Sequence, residues 1–516
     1  MSSDPENTDI WSVDARTGGR VERVGSVTTA QELRAVVRAA ASTGPQLQAA
    51  GLAGRARFLR TAADRLEEDA EEIVALADRE TALGESRLRA EMARTTFQLR
   101  FMAEVAEDGA WLDATIDHAD PAAAPAPRPD VRRSQVPLGP VAVFAASNFP
   151  LAFSVAGGDT ASALAAGCPV IVKAHPGHPA TSQRCLVALR EAATRSGLSA
   201  HVVGMVHGLA AGLELVRDPL VRAVGFTGST VGGRALFDAA AARADPIPFF
   251  GELGSVNPLV VTPIAALERA GAIGAGLAAS FTLGGGQFCT KPGLVLVPAG
   301  ADGDRLRAAL AASVAPLPAP VMLTSGIRQA FVAGLEARMA LPGVSVVARG
   351  VGDDAASPRV MFTKAMDIID EERLALLLEE DFGPVVIVVE YADEAELTAV
   401  LSLVPGSLTG TVHSGSNEHG PDSMAHRVAV VLAARSGRVV WNGYPTGVAV
   451  TWAMHHGGPY PSSTSTATSV GAAAIRRWTR TVCWQDAPAA SLPAELQEDN
   501  PLGVPRRING KLVVSD

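Results

Sequence analysis

The sequence lacks three features that would point away from a cytoplasmic globular protein. It has only 4 cysteines in 516 residues, without a CxxC pair or zinc-finger spacing, so we expect no disulfide framework, no metal site and a reducing cytoplasm. The start, MSSDPENTDI, has no basic segment followed by an apolar one, so no secretory signal is expected. The most apolar stretches are interrupted by Asn, Pro and Asp, which argues against a membrane span.

The sequence is also short of positive charge. Lys and Arg number 44 against 54 Asp and Glu, a net charge of −10, which argues against a nucleic-acid partner. Only four residues are lysines: Lys173, Lys291, Lys364 and Lys511. Codon bias and chance would explain this scarcity, but each lysine becomes a candidate for a specific role. The composition, with 47% hydrophobic and 19% charged residues, is typical of a globular protein. The length of the chain predicts two or three domains.

Two kinds of pattern divide the chain. Residues 29–112 carry apolar residues at helical spacing, which predicts helices. The proline-rich stretch 118–130 predicts an extended connector. From residue 139, strand-like apolar runs alternate with helical segments, which predicts a parallel, doubly wound sheet that binds ligands at the carboxyl ends of its strands. A second mixed α/β segment is predicted for 255–460, and the polar segment after 486 is predicted to lie on the surface.

Four side chains that can carry chemistry stand at predicted strand ends or in loops. Cys289 follows three glycines in GGGQFCTKPG, where a pliable loop would let a nucleophilic thiolate meet a substrate. Glu252, in GELG, could deprotonate a thiol or a water molecule. The Asn148 amide and the Cys289 backbone N–H could stabilise an oxyanion. Lys173 ends a predicted strand and could contact a nucleotide. Taken singly, each residue also fits an ordinary role: a structural cysteine, a turn carboxylate, a turn cap and a surface charge.

A glycine-rich turn adds a weaker signal. The stretch FTGSTVGG lies between a predicted strand and a predicted helix. Gly228, Ser229 and Gly233 would let backbone amides approach a phosphate at the N-terminus of that helix. The sequence contains no GxGxxG, so this turn alone does not identify a nucleotide site.

Together, these residues resemble a known family. Seven motifs occur in the order found in the aldehyde dehydrogenase superfamily: FAASNFPLAFS, IVKAHPGHP, FTGST, FGELGSVNP, GQFCTKPG, EEDFGPV and NGYPTGV. The resemblance runs from about residue 20 to the tail. Further stretches, including HHGGPYPSST and NPLGVPRRINGK, resemble the branch that oxidises 2,5-dioxovalerate (α-ketoglutaric semialdehyde) to 2-oxoglutarate. The sequence departs from this branch at Ser465, where Asp is usual.

The resemblance implies an aldehyde dehydrogenase-like α/β fold. The expected parts are a Rossmann-type dinucleotide-binding domain (1–125 and 141–254), a catalytic domain with the thiol nucleophile (255–460), a small β oligomerisation arm (126–140 and 461–490) and a surface tail (491–516). Strands in such an arm present pairing edges to another chain, so a homodimer or homotetramer is expected.

The resemblance also implies roles for individual residues. Cys289 would attack the aldehyde, Asn148 would stabilise the oxyanion, and Glu252 would activate the water that hydrolyses the thioester. Glu380 would hold the nicotinamide ribose and Lys173 the adenine-side ribose. The complete set of implied cofactor-binding residues is Ala146, Ser147, Lys173, His175, Gly228, Ser229, Gly233, Leu253, Glu380 and Phe382.

The choice of cofactor can be argued from one position. Members of the family that prefer NAD commonly carry Glu three residues after the ribose-binding lysine, and here that residue is Pro176. No carboxylate would repel a 2′-phosphate, and Lys173 and His175 could attract one. We therefore expect NADP, with NAD as the alternative.

Four other functions compete with this hypothesis. The chain could oxidise medium- or long-chain fatty aldehydes with NADP. It could be a CoA-acylating relative, although the carboxylate at Glu252 favours hydrolysis by water. It could be a non-catalytic protein on an inherited fold. A cysteine hydrolase is disfavoured, because no histidine in the sequence has a recognisable setting near the nucleophile. A substrate with a carboxylate would need a cation in its pocket, and the sequence does not indicate which arginine supplies it.

Overall fold

The computed structural model describes residues 9–368 and 375–514. Its helices are α1 (Ala30–Ser42), α2 (Gly44–Ala49), α3 (Gly51–Glu68), α4 (Ala70–Thr81), α5 (Glu85–Asp108), α6 (Gly158–Ala166), α7 (Pro179–Arg195), α8 (Leu209–Arg217), α9 (Thr230–Ala241), α10 (Pro263–Thr282), α11 (Ala301–Val314), α12 (Ser325–Met339), α13 (Ala365–Ile368), α14 (Glu394–Leu403) and α15 (Met424–Arg435). The predicted helical character of 29–112 is therefore confirmed.

The strands form three larger sheets and an N-terminal hairpin. They are β1 (Asp9–Val13), β2 (Arg20–Ser26), β3 (Ala114–Asp117), β4 (Val131–Pro137), β5 (Val141–Phe144), β6 (Val170–Lys173), β7 (Val203–Val206), β8 (Ala223–Thr227), β9 (Phe249–Glu252), β10 (Leu259–Val261), β11 (Leu294–Pro298), β12 (Ser345–Arg349), β13 (Arg359–Lys364), β14 (Val385–Tyr391), β15 (Ser407–His413), β16 (Ser436–Trp441), β17 (Thr479–Gln485), β18 (Arg506–Ile508) and β19 (Lys511–Val513).

The first larger sheet has the order β7-β6-β5-β8-β9, and all its strands are parallel. Alternate residues of β5 enter different apolar clusters. Val141 and Val143 pack with α3, α5 and α7, whereas Ala142 and Phe144 pack with α1 and α8. Both faces are thus covered by helices, as a parallel sheet requires. The predicted doubly wound sheet is confirmed, and β6, β8 and β9 end at Lys173, Thr227 and Glu252 on one edge.

The second larger sheet has the order β12-β13-β14-β11-β10-β15-β16, in which only the pairing of β12 with β13 is antiparallel. Its central strand β11 (LVLVP) is fully buried, because helices α10 and α11 cover one face and other apolar residues the opposite face. This sheet supports the loop that carries Cys289, which lies between α10 and β11.

The third larger sheet corrects one expectation. Its order is β17-β4-β3-β18-β19, so residues 506–513 add two strands to it. Leu492, Leu496 and Val504 are also buried. The prediction of a surface tail at 491–516 did not include these two strands or these buried residues, although most other residues from 491 to 514 are exposed or half-buried. Composition misled because short polar strands gain their pairing from β3, a partner far away in the sequence.

Helix α10 is long and apolar enough, by composition, to cross a membrane: Pro263–Gly286 has a mean hydropathy of 1.2. Half of that stretch is buried in the protein. Ile273, Leu277 and Phe281 pack in one cluster with Val295 and Val297 of β11. We therefore assign α10 as a core helix of the second sheet.

Candidate active site

Three consecutive glycines shape the loop that presents Cys289. Gly284, Gly285 and Gly286 all have positive φ, at 58°, 67° and 68°, a region that other residues rarely adopt. A Cβ atom on Gly286 would also lie 2.3 Å from the backbone C and O of Gly383. The glycines are needed for a left-handed backbone and for close approach to the Gly383 segment, and they leave Cys289 half-buried at the end of the loop.

Asn257 fixes the loop from behind. Its side-chain amide donates to the carbonyl oxygens of Cys289 at 2.8 Å and Lys291 at 2.9 Å. Its Oδ1 atom accepts from Thr409 N at 3.1 Å. Asn257 is fully buried. Its hydrogen bonds therefore fix the backbone at Cys289 relative to the second sheet.

Lys291 links the same loop to the Glu380 segment. Its ammonium group donates to the backbone oxygens of Asp381 at 2.7 Å and Val385 at 3.0 Å. Burial lowers the pKa of Lys291 to about 8. One of the four lysines therefore joins the loop of the thiol to the segment predicted to hold a ribose.

Cys289, Glu252 and His456 meet in one cluster, in which the sulfur, a carboxylate oxygen and a ring nitrogen lie within 4.8 Å of one another. His456 Nε2 lies 3.7 Å from Cys289 Sγ and 3.0 Å from Glu252 Oε1. Ser469 donates to Glu252 Oε2 at 2.9 Å. Because Nε2 faces an anionic carboxylate, it carries the proton and donates to Glu252.

The environment of the cluster shifts the pKa values of Glu252 and Cys289 in opposite directions. Burial opposes ionisation of Glu252, yet the charge and N–H of His456 and the donors Ser469 and Cys289 lower the pKa of its carboxyl group. Burial and the charge of Glu252 raise the pKa of the Cys289 thiol well above its usual range. The free protein therefore pairs a protonated thiol with an ionised carboxylate, which is poised to take the proton when sulfur attacks.

The structure places a histidine, His456, beside the nucleophile. We expected no histidine near the nucleophile, and that expectation is wrong. His456 stands 167 residues after Cys289, in HHGGPYPSST, a stretch noted only as a branch motif. Its backbone N–H donates to Thr468 Oγ1 at 2.8 Å. This bond fixes the backbone at His456, from which the ring extends. The adjacent histidines of this motif were the signal that could have identified it.

Asn148 lies beside the same cluster and is buried. Its side-chain N–H donates to the backbone carbonyl of Gln287 at 2.9 Å. The backbone carbonyl of Asn148 accepts from Arg87 Nη2 at 2.7 Å. The backbone N–H of Cys289 lies against its own sulfur, where it stabilises negative charge. The structure thus brings together both donors predicted for an oxyanion.

A cavity of about 370 Å³ opens from this cluster. Cys289, Glu252 and Asn148 line it together with eight of the ten predicted cofactor-binding residues: Ala146, Ser147, His175, Gly228, Ser229, Leu253, Glu380 and Phe382. Burial raises the pKa of Glu380 to about 8, against the opposing charge of Lys291. Ser229 caps α9 by accepting from Gly232 N at 3.2 Å, which leaves the N-terminus of that helix beside the cavity.

The other two predicted cofactor residues do not line the cavity. A Cβ atom on Gly233 would lie 2.2 Å from Leu253 Cδ2, so this glycine makes room for Leu253. Lys173 runs along Gly212 of α8. Its ammonium group makes no hydrogen bond or ion pair within residues 9–368 and 375–514, and burial lowers its pKa to about 8.

A thiol, a carboxylate and a side-chain amide thus line one cavity, a combination of groups that is typical of enzymes that form a covalent thioester. Comparison with known proteins agrees. The model of the aldehyde dehydrogenase family matches residues 2–483, and the chain belongs to that family. The resemblance and the fold class inferred from the sequence are confirmed.

Individual relatives place the chain more narrowly. It is 46% identical to α-ketoglutaric semialdehyde dehydrogenase 2 of Azospirillum brasilense, over 89% of this chain and 88% of that protein. It is 40% identical to α-ketoglutaric semialdehyde dehydrogenase of Acinetobacter baylyi, over 89% and 87%. The structure of PnpE in complex with nicotinamide adenine dinucleotide covers 93% of this chain and 95% of its own, with a TM-score of 0.78 and 23% identity. PnpE comes from Pseudomonas sp. WBC-3.

Proposed function

We propose that this protein oxidises 2,5-dioxovalerate to 2-oxoglutarate, with NADP as the preferred cofactor. The observation that carries the reaction is the cluster of Cys289, Glu252 and His456, of which Cys289 and Glu252 line the cavity. Two relatives named for α-ketoglutaric semialdehyde, at 46% and 40% identity, support the substrate. Medium- and long-chain fatty aldehydes are the alternative, and these relatives do not favour it.

The chemistry follows from the residues of the cluster. Cys289 sulfur bonds to the aldehyde carbon while its proton passes to Glu252. The carbonyl oxygen becomes an oxyanion, which the Asn148 amide and the Cys289 backbone N–H stabilise. Once oxidation has produced the thioester, Glu252 loses the first proton to solvent. Water then attacks the thioester and passes a proton to Glu252, and as the C–S bond breaks this proton returns to the Cys289 sulfur and the acid is released. His456 favours the ionised form of Glu252 before each of these proton transfers.

When bound, the cofactor would supply the acceptor for the hydride that leaves the substrate carbon. The cavity fits such a group, because it joins the thiol to the N-terminus of α9 and to Glu380. Glu380 and Phe382 would hold the nicotinamide ribose, Ser229 and Gly228 the phosphates, and Lys173 with His175 the adenine-side ribose. Gly233 would act indirectly, by admitting Leu253.

NADP is supported by the charges around the end of β6. Burial, with the charge of Lys173 contributing, lowers the pKa values of His175 and His207, so Lys173 would supply the positive charge here. Its ammonium group makes no hydrogen bond or ion pair in the described part of the chain. Pro176 stands where a carboxylate would otherwise repel a 2′-phosphate. A comparison of kcat/KM for the two cofactors tests this preference, and a preference for NAD above about tenfold would contradict it.

Steady-state kinetics tests the reaction itself. NADPH formation is measured with 2,5-dioxovalerate, pentanal and decanal, and the product is identified as 2-oxoglutarate. Cys289→Ala should still bind the cofactor and lose turnover. Full activity of that variant would refute the mechanism, and a preference for decanal would favour the fatty-aldehyde alternative. Formation of an acyl-CoA when CoA is added would indicate thiol transfer, and no NADPH from any aldehyde would indicate a non-catalytic relative.

We also propose a homodimer or homotetramer in the cytoplasm. Strands β17 and β19 are the edges of the third sheet, and β19 exposes Leu512 at 65% and Val513 at 43%. Such edges favour pairing with another chain. The four cysteines are free in the structure, as a reducing compartment requires. Light scattering during gel filtration measures the assembly, and a monomer would contradict this part of the proposal.

A further inference from the structure

Arg94 of α5 lies near the catalytic sulfur. Its Cζ atom is 5.6 Å from the centroid of the Phe153 ring, and that ring is 6.5 Å from the ring of His456. Burial lowers the pKa of the Arg94 guanidinium, and the nearby Glu91 and Cys289 side chains oppose that shift. Arg94 is not among the residues that line the cofactor cavity.

One edge of the Arg94 guanidinium is unpaired. Nη1 donates to the Val448 carbonyl, whereas Nε and Nη2 are buried without a hydrogen-bond partner in the described chain. These two nitrogens form the edge that matches both oxygens of a carboxylate. Leaving two buried donors unpaired is unfavourable, so a carboxylate that reached this edge would relieve that cost.

The same edge binds carboxylates elsewhere in this protein. Arg132 Nε and Nη2 contact the two oxygens of Asp130 at 2.8 and 3.1 Å. Arg427 Nε and Nη2 contact the two oxygens of Glu394 at 2.6 and 2.7 Å. In Arg94 the equivalent pair of donors has no such partner among the described residues.

Two other arginines near the cluster are already occupied. Burial lowers the pKa of Arg438 and the nearby Cys289 opposes that shift, but the Nη1 and Nη2 atoms of Arg438 donate to the carbonyls of Gly447 and Pro445. Arg87 lies between the rings of Phe149 and Phe288, at 5.1 and 4.9 Å, and donates to the Asn148 carbonyl. Of these three arginines, only Arg94 has both Nε and Nη2 without a hydrogen-bond partner among the described residues.

Glu91 is the internal residue that could compete for this edge. Its Oε1 atom accepts from the backbone N–H groups of Leu151 and Ala152 at 2.9 and 3.0 Å, and Oε2 is unpaired within residues 9–368 and 375–514. Both residues belong to the described part of the chain, and they form no ion pair with each other there. Burial raises the pKa of Glu91 and the charge of Arg94 opposes that shift, so the two groups interact through their charges while Nε and Nη2 of Arg94 make no hydrogen bond to Glu91 in the described chain.

We infer that Nε and Nη2 of Arg94 bind the distal carboxylate of the substrate, while the aldehyde carbon lies at Cys289. The inference rests on the proposed function, because it assumes a short aldehyde that carries a carboxylate. Arg94 then selects such aldehydes over neutral aldehydes of the same length.

The test compares 2,5-dioxovalerate with pentanal, a neutral five-carbon aldehyde. In Arg94→Met, kcat/KM for 2,5-dioxovalerate should fall about 10- to 100-fold, mainly through KM, as expected for losing hydrogen bonds to a charged group. With pentanal it should change less than about threefold. Arg94→Lys should lie between, because a point charge replaces the two-donor edge. Calorimetry of 2-oxoglutarate binding should show the same loss without requiring turnover.

Two control variants separate substrate binding from a structural role. Arg100→Met removes a surface cation from the same helix, which pairs with Asp64 and Glu67, and should leave the preference for 2,5-dioxovalerate unchanged. Glu91→Gln should do the same. Equal losses with both aldehydes in Arg94→Met and Glu91→Gln would show that Arg94 only supports the fold.

The two proposals fail in distinguishable ways. A wild-type enzyme that prefers pentanal would refute the proposed substrate. A wild-type enzyme that prefers 2,5-dioxovalerate, with an unchanged preference in Arg94→Met and Arg94→Lys, would refute only the assignment of Arg94.

Discussion

His456 Nε2 and Glu252 Oε1 lie 3.0 Å apart, and both side chains are buried. Without this contact, burial would raise the pKa of Glu252 and neutralise the base that the proposed reaction needs. The histidine is therefore a positioning residue that acts through Glu252.

Replacing His456 with Gln should shift the pH dependence of the enzyme. The pKa of Glu252 should rise, so activity should be lost at a higher pH than in the wild type as the medium is acidified. At neutral pH we expect kcat to fall about 100-fold, the lower end for impaired general-base catalysis. Profiles of kcat and kcat/KM against pH measure both effects.

His455→Gln is the matched control for that variant. His455 is the adjacent histidine, is only partly buried, and makes no contact with Glu252 among the described hydrogen bonds. It should keep the wild-type profile. An acid limb that stays in place in His456→Gln would contradict the role given to His456.

Replacing Gly286 with Ala should distort the loop of the nucleophile. Its φ of 68° disfavours a side chain, and the new Cβ atom would meet the Gly383 backbone at 2.3 Å. We expect the free energy of unfolding to fall by about 2–4 kcal/mol and turnover to be lost. Thermal melting and NADPH formation measure the two effects.

Gly271→Ala provides the comparison. Gly271 lies in α10, and a Cβ atom at this position would meet no described heavy atom within 4 Å. Alanine favours a helix by about 0.5–1 kcal/mol relative to glycine. Melting should therefore stay the same or rise, with full activity. A stable, active Gly286→Ala variant would contradict the prediction, because it would show that the Gly383 segment can move to accommodate the methyl group.

Binding of NADP should weaken as the pH rises. The pKa of Lys173 is about 8 in the free protein, and a 2′-phosphate would favour the charged amine and raise that pKa. NADP affinity should thus be highest below about pH 8 and decline above it, whereas NAD affinity should change less. Fluorescence titrations from about pH 7 to about pH 9.5 test this. An equal pH dependence for both cofactors, or one that persists in Lys173→Met, would contradict the assignment.

Zinc should inhibit the enzyme reversibly. Sulfur, carboxylate oxygen and imidazole nitrogen are ligands that Zn²⁺ prefers, and these atoms of Cys289, Glu252 and His456 lie within 4.8 Å of one another. A chelator should restore activity, and Mg²⁺, which prefers oxygen ligands, should not inhibit. His456→Gln should be several-fold less sensitive than the wild type. Equal sensitivity of the two proteins would place the inhibitory ion elsewhere.

The sequence by itself determined the types of element and the main reactive groups. Helical periodicity in 29–112 and the alternation from residue 139 depend on neighbours along the chain, and both are found in the structure. The motifs around Asn148, Glu252 and Cys289 indicated the aldehyde dehydrogenase family, whose model matches residues 2–483.

Only the tertiary structure decided which distant groups converge. His456 meets Glu252 across 204 residues, Lys291 reaches Asp381 across 90, and Arg94 of α5 packs against the ring of Phe153. The strands at 506–513 likewise pair only because β3 offers an edge. Periodicity and propensity describe local backbone, whereas burial, charge and hydrogen bonding between remote side chains depend on strand order and loop packing.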